Sequence, residues 1–382
     1  MLNSENKLVS IVCRTYNSER YIAKAIQSVL CQTYHNWELI IVDDCSTDNT
    51  CGIVKQYKDE RIKLYKNDIN IGIIANLNKA ISLCNGEYIS ILDGDDSYFP
   101  DKLEKQVDFL NSNPDYGAVF SYVELVYDKK YENTKRIIDC LLNNPSGSRA
   151  EMLRKIFVED NFLAFPTEMF RKELSINFPE SIIGTGDCNF HIEILFKAKI
   201  KVLEMPLVKY TINGDANTST WVNDNIISAE KIYLLQHFSG MQDIKLFKEV
   251  FKGKYEKFGN PTEVKDIPYF IARIAMELPR RFFSGFYLLQ TIFLDNDYFM
   301  YIRKKFSLSY KEYISLRRFE PPVTTVKKKI LGICYYRAKR YENKIVKTFL
   351  YVFRKVIYSQ TIDFYFANIK LFTICNKVDN VK

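Results

Sequence analysis

Through the first 120 residues the chain alternates between uninterrupted apolar runs and stretches of helical periodicity, an order that few folds accommodate. "LVSIVC" (8–13) reads as a buried strand, and "SERYIAKAIQSVLCQ" (18–32) as an amphipathic helix with Ile22, Ala25, Ile26 and Val29 on one face. "WELIIVD" (37–43) is a second strand, after which Ser46 and Thr47 offer caps for a helix through Tyr57. "IKLYK" (62–66) and "EYISILD" (87–93) are a third and a fourth strand, separated by a helical "IIANLNKAISLC" (73–84), and Pro100 opens a helix to about Asn111. Strands that are apolar on both faces and alternate with helices predict an α/β fold, with a mostly parallel central sheet covered on both sides. In such sheets ligands bind in the crevice outside the carboxyl ends of the strands.

Three polar clusters fall at those ends. "RTYNSE" (14–19) follows the first strand, "DDCSTD" (43–48) the second and "DGDD" (93–96) the fourth. Crowded carboxylates repel one another, so Asp93, Asp95 and Asp96 need a reason to sit within four positions. Mg²⁺ or Mn²⁺ takes carboxylate oxygens and completes its shell with phosphate oxygens, needing only one or two protein carboxylates. Gly94 lets the backbone turn sharply between them. The bland reading is a solvated turn that caps the next helix, and Asp96 suits a cap or a supporting group. Tyr16 offers an aromatic plane on which a base can stack. Asn17 and Ser18 read as helix caps. Either Asp43 or Asp44 can accept from a base N–H, while Ser46, Thr47 and Asp48 read as an Asx-turn and N-cap.

The ordered clusters, with "NIGIIANLNKAISLCNGEYISILDGDDSYFPDKL" between and around them, resemble the nucleotide-sugar domain of the family 2 glycosyltransferases, densely over about 7–120 and more loosely to about 220. The resemblance implies the GT-A fold and inverting sugar transfer in bacterial polysaccharide and glycoconjugate synthesis. It implies a nucleotide-sugar site of Thr15, Tyr16, Asn17, Glu19, Asp44, Asn78, Asp93 and Gly94, with Tyr16 on the nucleobase and Asp44 accepting from its ring N–H. It further implies Mn²⁺ or Mg²⁺ held by Asp95 and Asp93. Asn78 matches an asparagine of the family for which a structural role is the better reading. Two positions depart from the family pattern: Arg14 replaces a frequent proline, and Leu77 stands where many members carry arginine.

The reaction also needs a proton acceptor for the incoming hydroxyl, on the opposite side of the sugar from the leaving diphosphate. In "FPESIIGTGDCNFHIEILFKAKIKVLEMPLVKY" (178–210), Asp187 follows a glycine-rich turn and begins a helix on which Phe190, Ile194 and Leu195 share a face. The resemblance makes Asp187 the candidate base; N-cap is its plain alternative, and His191 and Glu193 are the other bases in reach. After Tyr210 the family's arginine and histidine are missing, since the chain reads Thr211, Ile212, Asn213. "NGDANTST" (213–220) suits a loop that closes over the donor.

From about 222 the patterns are helical and no catalytic cluster follows, which divides the chain into a catalytic domain, 1–221 (nucleotide-sugar half 1–120, acceptor half 121–221), and a helical C-terminal region, 222–382. The net charge of +8 is uneven: residues 321–382 hold 13 Lys and Arg against 3 Asp and Glu. Residues 331–358 read as a helix with Ala338, Tyr341, Ile345, Phe349, Val352 and Val356 along one side. That makes a basic amphipathic segment, 325–360, suited to an anionic membrane surface or to packing on its own protein. The longest uncharged apolar run, 282–294, has 13 residues, short of the ~20 of a spanning helix. Nine cysteines without a Cys-x-x-Cys pair suit reduced thiols, and "MLNSENKLVSIVC" lacks the shape of a signal peptide. The expected location is cytoplasmic, or peripheral on the inner face of the membrane.

The leading expectation is therefore a metal-dependent inverting glycosyltransferase using a UDP- or dTDP-sugar and a saccharide or lipid-linked acceptor. A non-catalytic nucleotide-sugar sensor or scaffold is the alternative. A nucleotidyltransferase would carry a glycine-rich phosphate loop after the first strand, which "CRTYNSE" lacks. Nucleic acid is not an expected partner, because no recognition motif accompanies the basic end.

Overall fold

The computed structural model describes residues 6–127, 142–174, 178–212, 224–278 and 281–317, and beyond these the backbone of four strands between 345 and 375. Two compact units, Met1–Trp221 and Val222–Lys382, divide the chain.

In the first unit the expected alternation is present: β1 (Val9–Thr15), α1 (Ile22–Leu30), β2 (Trp37–Asp43), α2 (Thr50–Val54), β3 (Ile62–Lys66), α3 (Ile73–Ser82), β4 (Tyr88–Asp93), β5 (Ser97–Tyr98) and α4 (Lys102–Ser112). Then come β6 (Tyr116–Tyr127), α5 (Arg149–Glu159), β7 (Met169–Arg171), α6 (Gly186–Lys197) and β8 (Lys199–Ile212). The eight strands form one sheet in the order β3-β2-β1-β4-β7-β6-β8-β5. Its first half, β3 to β4, is wholly parallel. The second half is mixed: β7 runs antiparallel to β4 and β6, β6 and β8 are parallel, and β5 returns antiparallel to β8.

Burial explains why these sequences take these forms. β2 is buried at every position, as a central parallel strand must be, since both faces are covered. One face packs against α1, whose Ile22, Ala25, Ile26 and Val29 are fully buried with Ile11, Leu39 and Ile41. Truncating one of these, as in Ile26→Ala, would cost about 2–5 kcal/mol. α1 begins without a side-chain cap, its first N–H groups being met by the Ser18 carbonyl. The capping expected of Asn17 and Ser18 is thus not made. Nor do Ser46 and Thr47 cap α2, which starts at Thr50 after Asn49.

The second unit opens with helices: α7 (Asp224–Ser239), α8 (Ile244–Val250), α9 (Ile267–Met276), α10 (Phe282–Leu294), α11 (Asn296–Lys305) and α12 (Tyr310–Arg317). Gly285 of α10 lies against α9, where an added Cβ would stand 2.8 Å from the Ala272 carbonyl oxygen. Among the described residues no helix is long and apolar enough to cross a membrane. The helix expected over 331–358 is corrected wherever that stretch is described. Ile345–Phe349 and Phe353–Ile357 are strands β9 and β10, joined by β11 (Thr361–Phe366) and β12 (Ile369–Cys375) in an antiparallel sheet. "IVKTF", "TIDFYF" and "IKLFTIC" are dense in β-branched and aromatic residues, which suit a pleated surface better than a helix. The rest of 325–360 and the loop 213–220 lie outside the described residues.

Candidate functional site

Register brings the three polar clusters level. Thr15 pairs with Asp43 and Arg14 with Asp93, so β2, β1 and β4 end side by side in that order. The loops after β1 and β2 are laced together. Asn17 accepts from Thr47 N (2.9 Å) and Glu19 from Asn49 N (3.0 Å), while Ser46 Oγ accepts from Asn17 N (2.8 Å) and Thr50 Oγ1 from Ser18 N (2.8 Å). Asp43, fully buried, anchors the lacing by accepting from Ser46 N (2.9 Å) and Thr15 Oγ1 (3.3 Å). Asn17 and Cys45 sit at φ +50° and +65°, a conformation costly for residues with side chains unless their surroundings fix it. The Tyr16 ring is left 48% exposed at the strand tips, open to stacking.

Asp44 is buried and holds the segment after β3. Its Oδ1 accepts from Asn67 Nδ2 (2.8 Å) and Ile71 N (2.9 Å), and its Oδ2 from Gly72 N (3.0 Å). A carboxylate has about four acceptor positions, so these bonds leave room for one more. Asn67 is fixed in turn by Asn76 and Lys79.

The acidic turn encloses a cation. Arg14 Nε lies 2.9 Å from Asp93 Oδ1, with both side chains largely buried. Its guanidinium stands 5.3 Å from the centre of the Phe165 ring. Burial alone would lower its pKa, but Asp93, then Asp187 and Asp95, raise it instead. Asp93 thus contacts the guanidinium directly, and Asp187 and Asp95 act on it through their charge. Tyr210 of β8 joins them: burial raises its phenol pKa, helped by Asp96, Asp93, Asp95 and Asp187. Asp96 is buried and accepts from Thr211 N (2.8 Å), which ties β8 to the turn. An added Cβ on Gly94 would lie 3.2 Å from Ser18 Oγ, so that turn packs closely on the loop after β1.

Asp187 is the second residue of α6, behind Thr185 at the N-cap, so it is not itself the cap. It accepts from Cys188 N (2.7 Å) and from Asn161 Nδ2 (2.9 Å). His191 has no exposed surface and lies among Phe120, Phe165 and Phe190, which removes it from contact with substrate. Glu193 is half-buried, further along α6. Asn78 clasps the backbone of Phe178 with both amide atoms, donating to its carbonyl (2.7 Å) and accepting from its N–H (3.1 Å).

Carboxylate oxygens suit Mg²⁺ or Mn²⁺, and one or two suffice when a diphosphate completes the shell. No group of three or more His, Cys, Asp or Glu is gathered as a metal site among the described residues. Asp96 is committed to β8 and Asp93 is shared with Arg14, so Asp95 together with Asp93 is the donor set that fits. Sequence reasoning passed over three members of this site. Arg14 stood out only as a departure from a pattern, Tyr210 only as a landmark, and Asn161 gave no signal at all.

Residues 10–177 match the model of "Glycosyl transferase family 2". The chain is 32% identical over 220 residues to an uncharacterized glycosyltransferase, MJ1057, of Methanocaldococcus jannaschii, covering 56% of this chain and 73% of that protein. It is 42% identical over 144 residues to the Escherichia coli UDP-Glc:alpha-D-GlcNAc-diphosphoundecaprenol beta-1,3-glucosyltransferase WfgD, covering 34% of this chain and 57% of that protein. A Bacillus subtilis relative, 47% identical over 131 residues, is covered over 46% of its length, so the chain spans about half of several relatives. Among solved structures, S. aureus TarS 1-349 in complex with UDP-GlcNAc aligns with a TM-score of 0.53 at 18% identity, covering 92% of this chain and 97% of that one. This is a likeness of fold, and it agrees with the GT-A arrangement of the sheet.

Proposed function

Since the chain belongs to family 2 of the glycosyl transferases, we propose that it transfers a sugar, with inversion, from a nucleoside-diphosphate donor to a saccharide or lipid-linked acceptor in polysaccharide or glycoconjugate synthesis. The observation that carries this reading is the level ending of β2, β1 and β4, where the Arg14–Asp93 pair and an exposed aromatic ring stand at the strand tips.

Tyr16 stacks on the nucleobase, and Asp44, with an acceptor position left, takes its ring N–H. Thr15, Asn17 and Glu19 shape that subsite by lacing the loops. Asn78 serves the site by holding the chain before α6. Arg14 faces the diphosphate, where it supplies a cation that Leu77 and Thr211 do not. A divalent ion bound at Asp95 and Asp93 would act there as a Lewis acid on the diphosphate oxygens. Asp187 accepts the proton of the acceptor hydroxyl as its oxygen bonds to the anomeric carbon, and the electron pair of the breaking bond leaves with the diphosphate. UDP is the favoured nucleotide and a lipid-linked glycan the favoured acceptor class, in line with what the WfgD relative is named for. A membrane contact through the basic end now rests on its charge alone, because Ile345–Phe349 and Phe353–Ile357 are strands and not parts of an amphipathic helix.

A panel of nucleotide sugars, assayed for release of nucleoside diphosphate with and without Mn²⁺, tests the reading. Turnover of one donor is expected, falling at least 100-fold in Asp95→Ala and Asp187→Asn, the usual scale for a positioned proton acceptor. Undiminished turnover in Asp95→Ala would remove the metal assignment. Tight nucleotide binding with no donor consumed would favour the sensor instead.

A further inference from the structure

Behind Asp187 lies a chain of hydrogen bonds into the protein interior that substrate binding alone does not require. Asn161, which follows α5, donates from Nδ2 to Asp187 Oδ2 (2.9 Å). Its amide cannot be turned around, because the Leu163 backbone holds both ends: Leu163 N donates to Oδ1 (3.1 Å), and Nδ2 also donates to Leu163 O (3.2 Å). The carbonyl oxygen therefore faces His191 Nδ1 at 3.2 Å. An amide oxygen only accepts, so Nδ1 carries a proton. The other ring nitrogen, Nε2, lies 3.3 Å from Glu168 Oε2. A second proton is shared there, on the ring or on the carboxyl, and in either form the pair is neutral overall.

This arrangement is costly. His191 and Glu168 are both fully buried, the imidazole meets Phe120 edge to face at 5.0 Å, and Glu168 Oε1 has no hydrogen-bond partner. Burial raises the Glu168 carboxyl, His191 opposes this, and Asp187 adds to it, so the pair and Asp187 act on each other. Apolar residues of similar size would serve stability as well or better in such a place. A buried polar pair joined to a surface carboxylate by an oriented amide has the form of a device that aims the carboxylate.

We propose that Asn161, His191 and Glu168 are positioning residues for Asp187, fixing its rotamer through the Asn161 N–H; this rests on Asp187 as the base of the transfer. A hydrogen bond to the charged form of a carboxyl favours that form. Removing the Asn161 donor therefore raises the pH at which Asp187 becomes a competent acceptor. The other charged or titratable groups around Asp187 are Arg14 of β1, Asp93 and Asp95 at the end of β4, Tyr210 of β8 and Lys102, the last acting on Glu168. All of these stay in place in the variants below, whereas the His191–Glu168 pair changes with its own substitution, so the Asn161 variant gives the cleaner reading.

The test follows donor turnover by the full chain across pH 5–9, together with the titration of the Asp187 carboxyl by ¹³C NMR in the same proteins. Asn161→Ala is expected to lower kcat about 10- to 100-fold, the scale seen for residues that orient a functional ligand. The donor KM should change less than twofold, and the acid limb of kcat and the Asp187 titration should both move to higher pH. Glu168→Gln keeps the size of the side chain and a hydrogen-bonding group for His191 Nε2, guards against a folding defect, and is expected to shift both in the same direction by less. If both variants melt like the parent and leave the limb and the titration unmoved, the assignment is overturned. Full activity in Asp187→Asn would instead overturn the base itself, a separate outcome visible in the same series.

Discussion

Glu38 occupies the opposite end of β2 from the candidate site, and it concentrates four donors on one buried carboxylate. Oε1 accepts from Ser10 Oγ (2.6 Å) and Asn85 N (2.7 Å), and Oε2 from Lys63 Nζ (2.7 Å) and Asn85 Nδ2 (3.2 Å). Burial alone would raise the carboxyl, but Lys63, Ser10 and Asn85 overcome it and bring it from 4.5 down to about 2. A depressed carboxyl stabilises the fold fully above its ordinary range, and that contribution is lost as pH falls from about 4.5 through about 2. The difference corresponds to about 3 kcal/mol. Glu38→Gln turns an NH₂ group toward donors whichever way the amide points, so it should lose stability on that scale at pH 7. Urea unfolding at pH 7 and pH 3 checks this: the gap between variant and parent should narrow in acid, and an equal gap at both values would refute the assignment. None of this could be read from the strand "WELIIVD", where a single Glu amid apolar neighbours gives no hint of Ser10, Lys63 and Asn85 converging on it.

Two glycines bound elements of the nucleotide half for opposite reasons, and the contrast is testable. Gly72 precedes α3 at φ +88° with open space around its missing Cβ, and its N–H is one of the donors that engage Asp44. Gly86, in the turn before β4, has no such backbone need, but a Cβ there would stand 2.4 Å from Leu8 O and 2.7 Å from Ser10 N. Gly72→Ala should cost about 1–3 kcal/mol from its extended backbone at positive φ and weaken nucleotide binding through Asp44. Gly86→Ala should cost about 2–3 kcal/mol by forcing β1 and the turn apart, with nucleotide affinity per folded molecule retained. Urea midpoints and UDP calorimetry on both variants separate the two, and the reverse pattern would show that the Asp44 segment does not serve the nucleotide. Elements were legible where one period dominated. β1, β2 and β4 are continuous apolar runs between helical stripes, so they and the crevice at their ends could be read directly. β6 and β8 could not, because "YGAVFSYVELVY" and "KIKVLEMPLVKYTI" mix alternation with apolar runs, and Pro206 interrupts the second at a shift of register. At the C-terminal end, lysines and arginines spaced among aromatics fitted a helical stripe, and β-branched density was the stronger signal. Asn161 reaches Asp187 only through the fold, since no spacing rule connects residues 26 apart across a strand.

For the molecule as a whole, the chemistry proposed here needs only the first unit. Tyr16, Asp44, Asp93, Asp95, Asp187 and the positioning residues all fall within Met1–Trp221, and so does a continuous apolar core running from Val9 to Val208. A unit of that length buries enough of its surface to fold by itself. The second unit has its own apolar helices, with Phe247, Phe270 and Phe251 fully or almost fully buried, and a polar knot in which buried Asp266 accepts from Tyr301 (2.7 Å) and Lys305 (2.9 Å). Sugar nucleotide recognition and proton acceptance should therefore survive separation, whereas a charged or lipid-linked acceptor has reason to use the basic C-terminal end. Residues 1–221 expressed alone are expected to melt cooperatively and to bind UDP within about threefold of the full chain. Hydrolysis of the donor to water should persist while transfer to a lipid-linked acceptor falls at least tenfold. Calorimetry with UDP and a paired assay of hydrolysis and transfer measure both. A fragment that folds but has lost UDP would mean that the second unit completes the nucleotide subsite. A fragment that transfers as fast as the full chain would remove any acceptor role for residues 222–382, and the positive charge gathered there would need another explanation.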